Sequence, residues 1–215
     1  MKTLNIPVGL DSIAGDLEIP EGAAGLVIFA HGSGSGRASS RNRLVAERLR
    51  KAGLATFLMD LLTAEEGAAD EDSERYRFDV PLLAARLKRA SEFLRKHGET
   101  RALRQAYFGA STGAAAALAA AAEITDIFAV VSRGGRPDLA RKALPRVKAP
   151  TLLIVGGADV DILELNRESA DSMRCEVRVD VVPGAGHLFA EQGALEAAAR
   201  LAADWFARRL APAHA

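Results

Sequence analysis

Short, almost wholly apolar runs alternate along the chain with longer runs in which apolar residues recur every three or four positions. The short runs predict strands over Thr3–Val8, Asp16–Ile19, Leu26–Ala30, Ala55–Asp60, Ala106–Gly109, Ile127–Ser132, Leu152–Val155 and Cys175–Val182. Two of them, Leu26-Val27-Ile28-Phe29-Ala30 and Leu152-Leu153-Ile154-Val155, are unbroken, as strands covered on both faces are. The longer runs predict helices over Arg41–Ala52, Val80–His97, Thr112–Glu123, Ile162–Met173 and Ala194–Leu210. Gly53 and Gly98 follow helices, where a left-handed residue is wanted. Strand–helix alternation implies a mostly parallel, doubly wound α/β sheet with right-handed crossovers. Gly9-Leu10-Asp11-Ser12 is short enough to join the first two strands as a hairpin, giving an antiparallel N-terminal edge. The acidic, Ala/Gly-rich stretch Thr63–Ser73 reads as an exposed loop.

Composition narrows the class. The 215 residues suit a single domain, with Ala211–Ala215 as a frayed tail. Lys+Arg and Asp+Glu both number 28, and the arginines are scattered, as on a solvated face. Neither a nucleic-acid nor a membrane partner is expected. The N-terminus lacks the apolar core of a signal peptide, and Phe108–Ala122 is too weakly apolar to span a bilayer. A cytoplasmic protein is the expectation. One cysteine and four scattered histidines offer neither a disulfide nor a metal site of familiar spacing.

Three strand ends carry the chemistry. Gly109-Ala110-Ser111-Thr112-Gly113 follows an apolar strand and precedes an Ala-rich helix, the context in which G-x-S-x-G forms a sharp turn presenting a nucleophilic serine. The plainer alternative is a turn in which Ser111 or Thr112 caps the helix. Asp159 follows Leu152–Val155 and a glycine turn, which puts a carboxylate in the crevice at the C-terminal ends of parallel strands. It could instead cap a helix starting near Ile162, but Asp161 is the better-placed cap. His187 lies in the glycine-rich Pro183–Phe189 after the last strand, while His97 looks like a helix C-terminal dipole partner. Ser, then Asp, then His, each just past a strand, is the order of the α/β-hydrolase triad: Ser111 as nucleophile, His187 as base and Asp159 as the acid behind it.

His31-Gly32-Ser33-Gly34-Ser35-Gly36, after the strand Leu26–Ala30, occupies the position of an oxyanion loop. The backbone N–H groups of Ser33 and Thr112 are the expected donors, and His31 is expected to order the loop by hydrogen bonding. A phosphate-loop reading fails, because G-x-x-x-x-G-K-[ST] is absent and Arg37 stands where G-x-G-x-x-G needs glycine. Cys175 opens a strand with no activating neighbour and is expected to be buried and inert.

Taken together, His31–Ser35, Asp60–Thr63, Phe108–Gly113, Ser132–Pro137 and Gly184–Phe189 resemble the dienelactone-hydrolase-like branch of the α/β-hydrolases over nearly the whole chain. The similarity is greatest to a small serine-containing subfamily that also occurs fused to phosphoribosyltransferase domains. Dienelactone hydrolases proper usually carry a cysteine nucleophile, where this chain has Ser111. The resemblance therefore implies a hydrolase of a small-molecule ester, without a cofactor. With room for one short helix between Arg133 and Pro150, no lid domain is expected. An acyltransferase using the same triad, or a non-catalytic binding domain on the same fold, are the alternatives.

Overall fold

The protein is described by a computed structural model covering residues 1–210; the tail expected at 211–215 lies outside the described residues. Eight strands form one sheet: β1 Lys2–Val8, β2 Asp11–Glu18, β3 Gly25–Ala30, β4 Leu54–Met59, β5 Arg104–Ala110, β6 Val130–Arg133, β7 Thr151–Gly156 and β8 Val177–Val182. Their order is β1-β2-β4-β3-β5-β6-β7-β8. β1 and β2 form the hairpin expected at the edge, β2 runs antiparallel to β4, and all other pairs are parallel. β3, β4 and β7 are buried at every position, as their largely apolar runs require.

Among the described residues, six α-helices flank the sheet: α1 Ser40–Lys51, α2 Ala64–Ser73, α3 Val80–Lys96, α4 Thr112–Ala121, α5 Val160–Asp171 and α6 Ala194–Leu210. α1 packs on α6 over one face, and α3 on α4 over the other. In α3, Leu83, Leu87, Ala90 and Leu94 form the buried stripe, and Asp79 caps the first turn by accepting the N–H of Leu82 at 3.0 Å. Two hydrophobic clusters result, one per face of the sheet. Leu87, Tyr107 and Leu118 belong to the first, and Phe29, Phe108, Phe189 and Phe206 to the second.

The structure corrects four expectations. The acidic stretch Thr63–Ser73 is not a loop: Ala64–Ser73 is helix α2. Its stability comes from a capping box, in which Thr63 Oγ1 accepts the Glu66 N–H at 3.2 Å and Glu66 Oε2 accepts the Thr63 N–H at 2.9 Å. Residues 133–150 hold two short 3-10 turns, Pro137–Ala140 and Leu144–Arg146, where one short helix was expected. Gly53 is left-handed at φ +81° as anticipated, but Gly98 is not among the residues of positive φ. Cys175 lies two residues before β8 and does not open it; the thiol is half-buried, and burial pushes its pKa up. Among the described residues, no helix is long and apolar enough to cross a membrane.

Candidate active site

Ser111 sits between the end of β5 and the start of α4, with φ +50° and ψ −123°. A residue with a Cβ is strained there, and the fold must hold it. Two tight approaches show how it is held. A Cβ on Gly109 would lie 2.4 Å from Cα of Ala114, and one on Gly113 would lie 2.3 Å from the Ala30 carbonyl oxygen. Only glycine lets β5, α4 and the end of β3 close this far. The Ser111 N–H donates to the Arg133 carbonyl at 3.2 Å, and the Ser111 carbonyl accepts from the Arg136 N–H at 3.1 Å, tying the turn to the end of β6. The Ser111 side chain makes no capping bond, so the capping alternative does not describe it.

The hydroxyl of Ser111 lies 3.3 Å from Nε2 of His187, and Nδ1 of the same ring lies 2.8 Å from Oδ2 of Asp159. His187 is in the loop between β8 and α6, and Asp159 directly follows the turn after β7. The carboxylate is the more sheltered partner, its side chain 17% exposed against 37% for His187. The three residues named from chain order are thus joined by one line of hydrogen bonds across three strand ends.

Asp161 does not have the place expected of it. Helix α5 starts at Val160, so Asp159 occupies the N-cap position, yet its side chain makes no capping bond and turns to His187 instead. Asp161 is an exposed residue of the first turn, where its charge suits the helix dipole.

The loop after β3 lies against the serine: a Cβ on Gly32 would approach Ser111 Cβ to 3.1 Å. His31 Nδ1 is 2.9 Å from the Gly32 carbonyl, and Nε2 accepts the Leu61 N–H at 3.2 Å. These two bonds define the tautomer, with Nδ1 carrying the proton. Burial lowers the His31 pKa, against opposing effects of the Gly32 carbonyl and the Asp60 charge. His31 is therefore a neutral brace between the loop and the end of β4. The Ser33 N–H donates to Thr112 Oγ1 at 2.9 Å, so one expected oxyanion donor is already engaged by the side chain of the other residue.

A cleft of about 350 Å³ opens beside Thr112, between Ser33, Leu61, Leu62 and the α2 residues Gly67 and Asp70. The helix that sequence reasoning missed therefore forms one wall. Asp70 anchors its far end: its carboxylate accepts the Arg77 N–H at 3.1 Å and Arg77 Nε at 2.6 Å. Burial disfavours the charged carboxylate, but the bonds from Arg77 and Tyr76 outweigh this and hold its pKa below the usual value. A larger hollow, about 530 Å³, lies away from the serine among Lys2, Glu18, Arg50 and Glu99. Among the described residues, no group of three or more His, Cys, Asp or Glu side chains could hold a metal ion.

Arg133 departs from the pattern of solvated arginines. It is 7% exposed, and its guanidinium carbon lies 5.9 Å from the ring centroids of both Phe108 and Phe189. The run Val130-Val131-Ser132-Arg133 could have flagged it, as a cation closing an otherwise buried strand.

Comparison with known proteins gives the family and the fold. The profile of the Dienelactone hydrolase family matches residues 13–210. A Mycobacterium tuberculosis protein provisionally named a phosphoribosyl transferase is 52% identical over 206 residues, which are 95% of this chain and 46% of the relative. The chain thus spans about half the length of the curated relatives it matches. The crystal structure of a dienelactone hydrolase from Anabaena variabilis is 52% identical, covers 96% of both chains and superposes with a TM-score of 0.94. An α/β serine hydrolase homologue from Coxiella burnetii, 15% identical with a TM-score of 0.74, covers 98% of this chain and 97% of its own and shares the fold.

Proposed function

Since the chain belongs to the dienelactone hydrolase family and has the α/β-hydrolase fold, we propose that it is a serine hydrolase cleaving carboxylic esters through an acyl-enzyme. Family membership supports a hydrolase; the ester and the triad are the finer reading. The observation that carries it is the line from Ser111 Oγ through His187 to the Asp159 carboxylate, at 3.3 and 2.8 Å.

On this reading Ser111 Oγ attacks the acyl carbon while His187 Nε2 takes its proton. Asp159 accepts the hydrogen bond from Nδ1, holds the tautomer and stabilises the imidazolium. Negative charge gathers on the carbonyl oxygen, facing the N–H of Thr112, and that of Ser33 only once it leaves Thr112 Oγ1; a free donor of this kind contributes about 3 kcal/mol to the transition state. The start of α4 adds its dipole. His187 then protonates the leaving alkoxide, an alcohol departs, and the acyl group remains on Ser111. A water molecule, deprotonated by His187, attacks the acyl carbon and frees the acid. The steps call on no cofactor. The cleft walled by α2 suits a small-molecule ester.

The transferase name of the M. tuberculosis relatives belongs to chains of which this one spans 46%. The Anabaena hydrolase, matched over 96% of both chains, supports the hydrolytic reading of this part. The test is a panel of p-nitrophenyl esters of graded acyl length. Hydrolysis of the short esters, lost in Ser111→Ala, is expected. No turnover of any ester, or turnover surviving in Ser111→Ala, would overturn the proposal.

A further inference from the structure

The loop from His31 to Arg37 carries the Ser33 amide and has little packing of its own. Ser33, Gly34 and Ser35 are exposed, and a Cβ on Gly34 would meet nothing within 4 Å. Residues of the loop line two clefts, the one of about 350 Å³ beside Thr112 and a second of about 370 Å³ among Asn5, Ser12 and Thr63. His31, Ser35, Leu62 and Gly67 border both. Among the described residues, Gly32 to Ser35 take no part in backbone–backbone hydrogen bonds. The place of the loop is therefore set by its two ends and by the bond from the Ser33 N–H to Thr112.

Both ends are held by consecutive residues, Asp60 and Leu61, just past β4. At the near end the Leu61 N–H donates to His31 Nε2 at 3.2 Å. At the far end Asp60 Oδ1 accepts the Arg37 backbone N–H at 2.9 Å, and Asp60 Oδ2 accepts from the Arg37 guanidinium. The same carboxylate lies against the preceding residue, since a Cβ on Gly36 would approach Oδ1 to 3.0 Å. Asp60 is itself set by the sheet, because its N–H donates to the Ala14 carbonyl of β2 at 2.9 Å. One rigid strand end thus pins both ends of the loop. None of the hydrolytic steps above uses Asp60.

We infer that Asp60 is a positioning residue for the oxyanion: through the Arg37 backbone N–H it holds the loop where the Ser33 amide reaches the charge forming on the substrate's carbonyl oxygen. This rests on the hydrolase reading above. The Ser33 N–H has to leave Thr112 Oγ1 to serve the oxyanion, and the two anchors limit how far the loop travels when it does. Freed at Arg37, the loop has open space on either side, and the amide no longer has one place. Such a donor is strong because it is aimed before the charge develops, so a wandering amide loses most of its effect on the rate. The ground-state ester carries no such charge, and its binding changes little. The backbone bond matters more here than the ion pair, since the Arg37 side chain is 37% exposed and a salt bridge at that exposure contributes little.

Three variants of the full chain test this. Asp60→Ala removes the acceptor, Asp60→Asn keeps an acceptor for the Arg37 N–H without the charge, and Arg37→Ala keeps the backbone bond without the ion pair. Rates are taken well below each Tm and per serine labelled to completion by a fluorophosphonate probe, so that a loss of folded protein does not count as a loss of rate. Asp60→Ala should lower kcat on p-nitrophenyl acetate by about tenfold or more, with KM within about threefold. Inhibition by phenylboronic acid, which adds to a serine as a tetrahedral anion, should weaken by a similar factor. Asp60→Asn and Arg37→Ala should each stay within about threefold of the wild-type kcat. Hydrogen exchange at the amides of residues 32–37 should quicken in Asp60→Ala and not in Arg37→Ala. An unchanged kcat in Asp60→Ala, a kcat loss with boronate inhibition unchanged, or an equal loss in Arg37→Ala would overturn the positioning role. A wild-type protein that cleaves no ester would overturn the hydrolase reading. The exchange measurement then decides the hold of Asp60 on the loop, and unaltered exchange in Asp60→Ala would overturn that as well. Should Asp60→Ala fail to fold, Asp60→Ser, whose hydroxyl is one atom too short to reach the Arg37 N–H, serves in its place with the same outcomes.

Discussion

Ser33 donates its backbone N–H to Oγ1 of Thr112 at 2.9 Å, across 79 residues of sequence. The bond joins the loop after β3 to the first residue of α4, and both residues are expected to serve the oxyanion through their amides. In the resting enzyme, then, the Thr112 hydroxyl fixes where the Ser33 amide points. A neutral hydrogen bond of this kind is worth about 0.5–1.5 kcal/mol, or about a two- to tenfold change in rate. Thr112→Val keeps the side-chain shape and removes the acceptor. It is expected to lower kcat on p-nitrophenyl acetate by that factor at nearly constant KM, with Thr112→Ser restoring most of it. An unchanged kcat would sink the positioning role.

Ser111 is expected to be the covalent nucleophile, and Cys175, whose thiol burial pushes away from the reactive thiolate, a bystander. A fluorophosphonate probe should label the wild-type protein at Ser111 and leave Ser111→Ala unlabelled. Cys175→Ser should keep most of the hydrolysis. Loss of activity in a folded Cys175→Ser variant would move the nucleophile.

The two neighbouring aspartates separate by role. Asp159→Asn should lower kcat by about three to four orders of magnitude in a folded protein, since the histidine loses the partner that sets its tautomer. Asp161→Asn removes an exposed charge from the first turn of α5 and should cost at most about 1 kcal/mol of stability, with kcat within about twofold. Thermal melts and initial rates on both variants check the ranking. The reverse order would assign the acid to Asp161.

His31 makes stability depend on pH. Its folded pKa lies below the ordinary 6.5, because burial disfavours the imidazolium. As pH falls through the ordinary value, the unfolded chain takes up the proton before the folded one does, so stability is lost on acidification. Between about pH 7.5 and about pH 5.5, Tm should fall further in the wild-type protein than in His31→Gln, which has no group to protonate. Parallel curves would show that His31 titrates alike in both states.

Helix α2 rests on its caps. Glu66→Ala breaks the capping box and the ion pair with Arg86. The expected cost is about 1 kcal/mol, or about 2–4 °C in Tm for a chain of this size. Because α2 walls the cleft beside Thr112, KM should rise more than kcat falls. A pure stability loss with unchanged KM would detach α2 from substrate binding.

Much of this architecture is local in origin. Unbroken apolar runs such as Leu152–Val155 suffice to mark strands covered on both faces, and the glycines around Ser111 suffice to mark a tight turn, because side-chain periodicity and backbone sterics act over a few residues. That Ser111, Asp159 and His187 each follow a strand was legible for the same reason: parallel strands deliver their C-terminal ends to one edge of the sheet, so residues far apart in sequence converge without any contact being known in advance. The rest was settled by contacts between distant segments. α2 carries little apolar periodicity and exists through Thr63, Glu66, Arg86 and Arg77. Asp159 stands at an N-cap but turns from capping to a histidine 28 residues away, a choice between two acceptor roles that only the packed loop decides. Arg133 closes an apolar run, but that its guanidinium stands 5.9 Å from the rings of both Phe108 and Phe189 is decided only by the packed fold. Burial and charge pairing depend on what the fold brings alongside, and no local pattern records that.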